Sequence, residues 1–278
     1  MRVSALSLPL ISCLVLAAPQ PAKPWDLKQQ TVDAWDAYVH RAVARMKTRL
    51  TDGNFLWVDE TPAIRQRVKE GEIVVSPMQR NGRISVPRGL IHHWIGAVFV
   101  PNASLDDVYA VVHDYDHYKD FYKPTVADSK SLSCTESPHA YFLRFYKKVI
   151  FGTSVTDVEW ESPTFRLDDR RFYRLAWSTS VREVRDYGKP TESRGSPGHG
   201  NGYLWRMHSV SRYQQRDGGV YMELEAMALS RDIPVSYRWL VSPIVSQLSR
   251  AELSTTLGRS RDAVRQKHQP LPTEVPLP

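Results

Sequence analysis

Between residues 141 and 229 the chain passes through five stretches in which apolar and polar side chains alternate: 141–151 (YFLRFYKKVIF), 154–160 (SVTDVEW), 171–184 (RFYRLAWSTSVREV), 203–213 (YLWRMHSVSRY) and 220–229 (VYMELEAMAL). A period of two is the signature of a β-strand, whose successive side chains point to opposite faces. Turn chemistry separates the runs: SPTFRLDD at 162–169, a Gly/Pro/Ser-rich loop at 186–202, and Asp217-Gly218-Gly219, a strong hairpin signal. Successive antiparallel strands follow. Behind them, over 235–266, Leu240, Ile244, Leu248, Leu253 and Leu257 recur at helical steps. The expectation is an α+β chain in which a curved antiparallel sheet is wrapped around one long C-terminal helix.

The alternation also sorts the faces. Leu143 and Phe145, Tyr173, Leu175, Trp177 and Val181, Trp205 and Met207, and Met222, Leu224, Ala226 and Ala228 read as the apolar side. Arg144, Lys148, Arg174, Arg182, Arg206, His208, Arg212, Glu223 and Glu225 read as a wet side, held by cross-strand charge pairs.

Upstream, Arg2 precedes an uncharged apolar run, residues 3–18, which breaks into PQPAKPW. That is the length of a signal peptide and short for a membrane span, so export to a periplasmic or extracellular space is expected. Cys13 in Leu10-Ile11-Ser12-Cys13 resembles a lipobox, but it lies inside the apolar run; lipoprotein anchoring is the lesser alternative. With Cys13 removed, Cys134 has no intramolecular partner, and the fold must rest on its core. Val32, Trp35, Val39, Val43, Met46 and Leu50 outline an amphipathic helix over 25–50, closed by Asp52-Gly53. GEIVVSPM and RISVP look like short strands within an N-terminal extension, 19–90. At 97–101 AVFVP is strand-like, and Ser104 is placed to cap LDDVYAVVHDY, with Asp106 and Asp107 in the first turn. The Pro-rich tail, 267–278, ends the chain.

Composition supports this plan: 42% apolar residues suffice for a core, and 37 basic against 30 acidic residues give a net charge of +7 spread along the chain. Without a basic block, nucleic acid is not an expected partner; mild attraction to an anionic membrane surface is compatible.

The order strand, helix with a second bend at HDYDHYKDFYKP (113–124), antiparallel strands, then LEAMALSRDIPVSYRWLVSPIV leading into a long helix resembles the helix-grip fold of the START-like superfamily. That superfamily includes lipid-transfer domains, birch-pollen-allergen relatives and polyketide cyclases. The resemblance spans about 94–266, within a domain expected at 91–266, and rests most on DYDHYKDFYKPTVADSK and ALSRDIP, which report topology rather than catalysis. It implies an internal apolar cavity for a hydrophobic small molecule, lipid, sterol-like or polyketide-like, with no cofactor. The cavity candidates are Leu143, Phe145, Trp160, Tyr173, Trp177, Trp205, Met207 and Leu224.

His113 and His117 are four apart, and H-D-Y-D-H mimics a zinc-peptidase helix with Asp in place of Glu. The third ligand is unassigned, so they are weak metal candidates and a bracing role is the expectation. Two alternatives to a binding protein stay open: a cyclase- or hydratase-type enzyme in the same cavity, which needs one of the wet-face charges to point inward, and an envelope interaction protein docking through the 25–50 helix and the tail.

Overall fold

The structure is a computed structural model that describes residues 26–51, 53–79, 81–135, 137–149, 152–199, 204–232 and 235–268, without the side chains of 149, 152, 235–249 and 268. The expected signal segment with Cys13, residues 269–278 of the tail, and the side chains of Leu240, Ile244 and Leu248 lie outside that set.

Helix α1 (Gln29–Thr51), a 3-10 turn (Trp57–Glu60) and α2 (Pro62–Lys69) come first, followed by β1 (Val74–Pro77), β2 (Arg83–Val86) and β3 (Gly89–Pro101). Next are α3 (Leu105–Val112), a 3-10 turn (Tyr115–His117) and α4 (Tyr118–Phe121). Strands β4 (Val126–Ser133), β5 (His139–Val149), β6 (Gly152–Ser162), β7 (Thr164–Asp168), β8 (Arg171–Arg185), β9 (Ser193–Arg194), β10 (Leu204–Arg216) and β11 (Gly219–Arg231) lead to α5 (Val235–His268).

The five alternating runs are β5, β6, β8, β10 and β11. Among the described residues the sheet has the order β1-β3-β11-β10-β8-β6-β5-β4, with β2 on β3 and β7 and β9 on β8, every pairing antiparallel. Asp217 and Gly218, both at positive φ (56° and 81°), form the two-residue turn between β10 and β11; this backbone twist suits adjacent strands. Ser104 caps α3: its Oγ accepts from Asp107 N at 3.1 Å, while the Asp107 carboxylate accepts from Ser104 N at 2.8 Å. Segment 162–169, expected as a turn, contains β7, and β1 and β2 belong to the sheet itself, so residues 74–90 are not an appendage to it.

The C-terminal half of α5 lies in the concave face. Leu253, Leu257, Ala263 and Val264 pack with Trp94, Val98, Phe172, Tyr213 and Met222 and with Val108 and Val111 of α3. Gly96 permits the approach: a Cβ there would stand 2.7 Å from Leu257 Cδ1 and 3.2 Å from the Val74 carbonyl. On the other flank Lys147 of β5 pairs with Glu252 of α5, so the sheet curls far enough to hold the helix from both sides. This is the helix-grip arrangement.

The expectation of one wet face does not hold. Trp35, Tyr38 and Ala42 of α1 cover Ile91, Trp205, Met227 and Leu229 on the convex face, and Phe55, Leu56, Trp57 and Val58 cover Ile95, Phe99, Tyr173, Val210 and Tyr221. Beneath this cover Arg212, Glu223, Glu225 and His208 are buried, and Arg174 is buried on the opposite, concave face. Alternation shows which residues share a face, but residue type misassigned which face meets water. The buried stripe of α1 is Thr31, Trp35, Tyr38, Ala42 and Met46; of the expected stripe Trp35 and Met46 are buried and Val39, Val43 and Leu50 pack at its edge, so the stripe is broader than expected and brings Tyr38 into the convex core.

Candidate functional site

Four strands, β8, β10, β11 and β3, bring their concave side chains into rows across the sheet. The row Phe172, Tyr213, Met222 and Val98 is solid core against α3 and α5. One step along, the row is Arg174, Ser211, Leu224 and Gly96; the next is Ala176, Ser209, Ala226 and Trp94; the next includes Met207, Ala228 and His92. From the second row on, the β10 and β11 side chains become smaller: Ser211, Ser209, Ala226 and Ala228 follow Tyr213 and Met222, while Trp94, Leu224 and Ala226 still pack against the core cluster. The exposure pattern changes with it: Met207, Ser209, Ser211, Leu224, Ala226 and Ala228 all keep partial exposure, while their convex neighbours His208, Val210, Arg212, Glu223, Glu225 and Met227 are buried. In a close-packed protein, small side chains that stay partly accessible on the inner face of a sheet mark a trough rather than a core.

Strands β5, β6 and β8 form its side wall. Leu143, Trp160 and Val181 are buried there, with Phe145, Leu204 and Met207 packed against them. Aromatic rings continue the wall: Tyr115 stacks on Tyr141 (4.3 Å between centroids, 8° between planes), and Tyr141 lies parallel to Trp160 at 6.1 Å. Tyr115 and Tyr118 come from the bend after α3, the HDYDHYKDFYKP segment, which reaches the site because α3 ends at Val112. Burial raises the Tyr115, Tyr118, Tyr122 and Tyr141 hydroxyls above the ordinary phenol range, so each stays neutral.

At the wall's inner end stands Arg174. Its Nη1 donates to the Val112 carbonyl at 2.7 Å and lies 3.5 Å from Tyr118 Oη; its Nη2 donates to Tyr115 Oη and Ser162 Oγ, both at 2.9 Å. Its Nε, and in the wall Trp160 Nε1, are buried with no hydrogen-bond partner among the described residues. Sequence reasoning missed this residue as a site member because an arginine in an alternating strand reads as solvent-facing; the signal was available in the parity, since Arg174 shares its face with Phe172 and Ala176.

The eight cavity candidates do not form one lining. Leu143, Phe145, Trp160 and Met207 come together in the wall, and Leu224 lies on the floor. Tyr173 and Trp205 are on the convex face under the N-terminal helices, and Trp177, also convex, donates from Nε1 to Glu161 at 3.1 Å. The floor residues Ser209, Ser211, Ala226 and Ala228 were passed over as site members because small side chains carry little signal.

His113 and His117 are not on one helical face. His113 caps the end of α3, with Nδ1 donating to the Tyr109 carbonyl and Nε2 accepting from Thr164 Oγ1, both at 2.8 Å; burial pushes it down to about 4. His117 is exposed and pairs with Asp114 at 2.6 Å. No group of three potential metal ligands gathers among the described residues.

No protein-family model matches the sequence, and no curated protein is detectably similar to it. Solved structures resemble it in fold. A STAR-related lipid transfer protein from Xanthomonas axonopodis is 18% identical, with a TM-score of 0.45, over 70% of this chain and 99% of its own. Human STARD10 is 9% identical, TM-score 0.41, over 69% and 79%. The Zhui aromatase/cyclase from a Streptomyces species is 18% identical, TM-score 0.38, over 64% and 98%. The helix-grip arrangement is seen in this chain's own strand order and in the hold of the sheet on α5, with the convex face closed by its N-terminal helices.

Proposed function

We propose that this protein binds and carries a hydrophobic small molecule in the trough between the concave face and α5. The observation that carries the reading is the change from the Phe172–Tyr213–Met222 row to the small, partly exposed side chains of the next rows. Burying an apolar ligand there is favourable by roughly 25 cal/mol per Å² of area removed from water. Bulk added to the floor tests it. Ala226→Trp and Ser209→Trp should abolish uptake of a fluorescent apolar probe and strip co-purifying lipid from the native mass spectrum, with the far-ultraviolet spectrum unchanged. Full retention of probe and lipid in both well-folded variants would sink the carrier reading.

A cyclase- or hydratase-type enzyme is the second reading, favoured by one observation: Arg174 faces inward, where a guanidinium would polarise a ligand carbonyl. Conversion of the extracted native ligand by the protein would favour it over a carrier. Export is part of the proposal and rests on the apolar run at 3–18; a processed N-terminus in an extracytoplasmic fraction is the expected finding.

A further inference from the structure

We infer that the molecule held in the trough is an acidic amphiphile, an apolar body ending in a carboxylate or phosphate that supplies a counter-ion to Arg174, which has none among the described residues. This rests on the carrier reading and adds to it the chemistry of the cargo's polar end.

The case starts from charge. Arg144 is paired with Asp157 and Glu192, and Arg212 with Glu223 and Glu225. Arg174, more buried than Arg144 and less than Arg212, meets no carboxylate among the described residues; its partners are a backbone carbonyl and three neutral hydroxyls. The stretch 233–249 (IPVSYRWLVSPIVSQLS), whose side chains lie outside the described set, contains no Asp or Glu. The burial-raised phenols beside it remain uncharged and cannot neutralise it. A buried cation without its anion is unfavourable, and a bound anion removes that penalty while gaining charge-assisted hydrogen bonds.

Geometry then says where the anion would sit. Arg174 shares its row with Ser211 and Leu224, both partly exposed to the trough, so the charge stands at the boundary between solid core and open floor. Among the described residues, three buried N–H groups of the concave rows and wall are without a hydrogen-bond partner: Arg174 Nε, Trp160 Nε1 and Trp94 Nε1. These groups are donors, and among the described residues the charge on the concave rows is the Arg174 guanidinium, which selects an oxygen anion over a cationic or neutral apolar end. The floor beyond, Ala176, Ser209 and Ala226, receives the apolar body.

The test uses the full chain, freed of lipid, with four probes read by native mass spectrometry and tryptophan fluorescence: palmitate against methyl palmitate, and oleoyl lysophosphatidate against monooleoylglycerol. The acid of at least one pair should bind about tenfold to a hundredfold more tightly than its neutral partner, the range for hydrogen bonds to a charged group, and the pair showing it tells carboxylate from phosphate. Arg174→Met should erase the preference while keeping the neutral probe's affinity, and Arg174→Lys should retain part of it. Equal affinity within both pairs would overturn the acidic-cargo inference and leave the carrier reading standing; a preference that survives in Arg174→Met would overturn it as well. No binding of any probe would overturn both. Should Arg174→Met not fold, the wild-type comparison within each pair decides alone.

Discussion

Arg212 has no exposed surface, yet it is the centre of an ion network between the sheet and the N-terminal helices. Its Nη2 donates to Glu225 Oε2 at 2.9 Å and its Nη1 lies 3.4 Å from Glu223 Oε1. Glu223 Oε2 also accepts from Val58 N at 3.0 Å. His93 Nε2 lies 2.9 Å from Glu225 Oε1, and its Nδ1 lies 2.7 Å from Tyr38 Oη; with the carboxylate ionised, Nε2 donates and Nδ1 accepts from the tyrosine. Arg212→Met would strand two buried carboxylates and should cost about 3–5 kcal/mol in denaturant unfolding; a loss below about 1 kcal/mol would mean that the network is not a tie. The two glutamates respond to pH in opposite senses. Burial pushes Glu223 up to about 7 against the pull of Arg212, so its contribution is full below its unfolded value of 4.5 and is lost as pH rises through about 7. Burial also opposes the charge on Glu225, but the His93 hydrogen bond and Arg212 outweigh it and hold it at about 2, so its contribution is present above 4.5 and lost as pH falls through about 2. His92, His113 and His208 are each held down to about 4, chiefly by burial; their contribution is present above 6.5 and lost as pH falls through about 4. Three histidines outnumber one glutamate, so stability should rise from pH 4 to about 6.5. In Glu223→Gln that rise should be steeper, and the difference from wild type should grow between pH 4.5 and 7. A flat difference curve would show that Glu223 is not shifted.

Elements owe their positions to faces rather than to propensity. Thr31, Trp35, Tyr38, Ala42 and Met46 lie at steps of three and four, which places one buried stripe on α1 against the convex face. Trp35→Ala should cost about 3–5 kcal/mol by the cavity it leaves, and it should increase binding of a dye that reports exposed apolar surface as α1 loosens. Unchanged thermal unfolding would mean that α1 is a passenger. On the other face, Gly96→Val would drive two methyl groups toward Leu257 and the Val74 carbonyl. A destabilisation of about 1–3 kcal/mol is expected from this overpacking, together with faster hydrogen exchange in the C-terminal half of α5 but not in β10.

Taken whole, the molecule is a sheet covered on both faces, by the N-terminal helices on the convex side and by α3 and α5 on the concave side. The convex side is closed by apolar clusters and the Arg212 network. The concave side is solid where α3 and the end of α5 fill it, and its side chains become small and partly accessible along the rows of Ser209, Ser211, Ala226 and Ala228. Because a ligand along those rows would tie the floor to α5, it should stabilise the entire fold: at a free concentration 100 times its Kd, about 2.7 kcal/mol, read as a rise in unfolding temperature. A ligand that binds without moving that temperature would be attached elsewhere.

Much of this was legible in the chain alone. The five alternating runs, the Asp217-Gly218 turn, the Ser104 cap and the long final helix follow from local chemistry, because strand period, positive φ and an N-cap hydroxyl act over a few residues. Leu143, Phe145, Trp160 and Met207 could be picked as wall residues for the same reason. What tertiary structure decided was which face each run turns to water. Tyr173, Trp205, Arg212, Glu223 and Glu225 are buried only because α1 and residues 55–58 fold back over them, and Arg174 faces the trough only because β8 meets β10 in the register that pairs it with Ser211. Alternation assigns residues to faces, but long-range packing assigns faces to solvent, core or cavity.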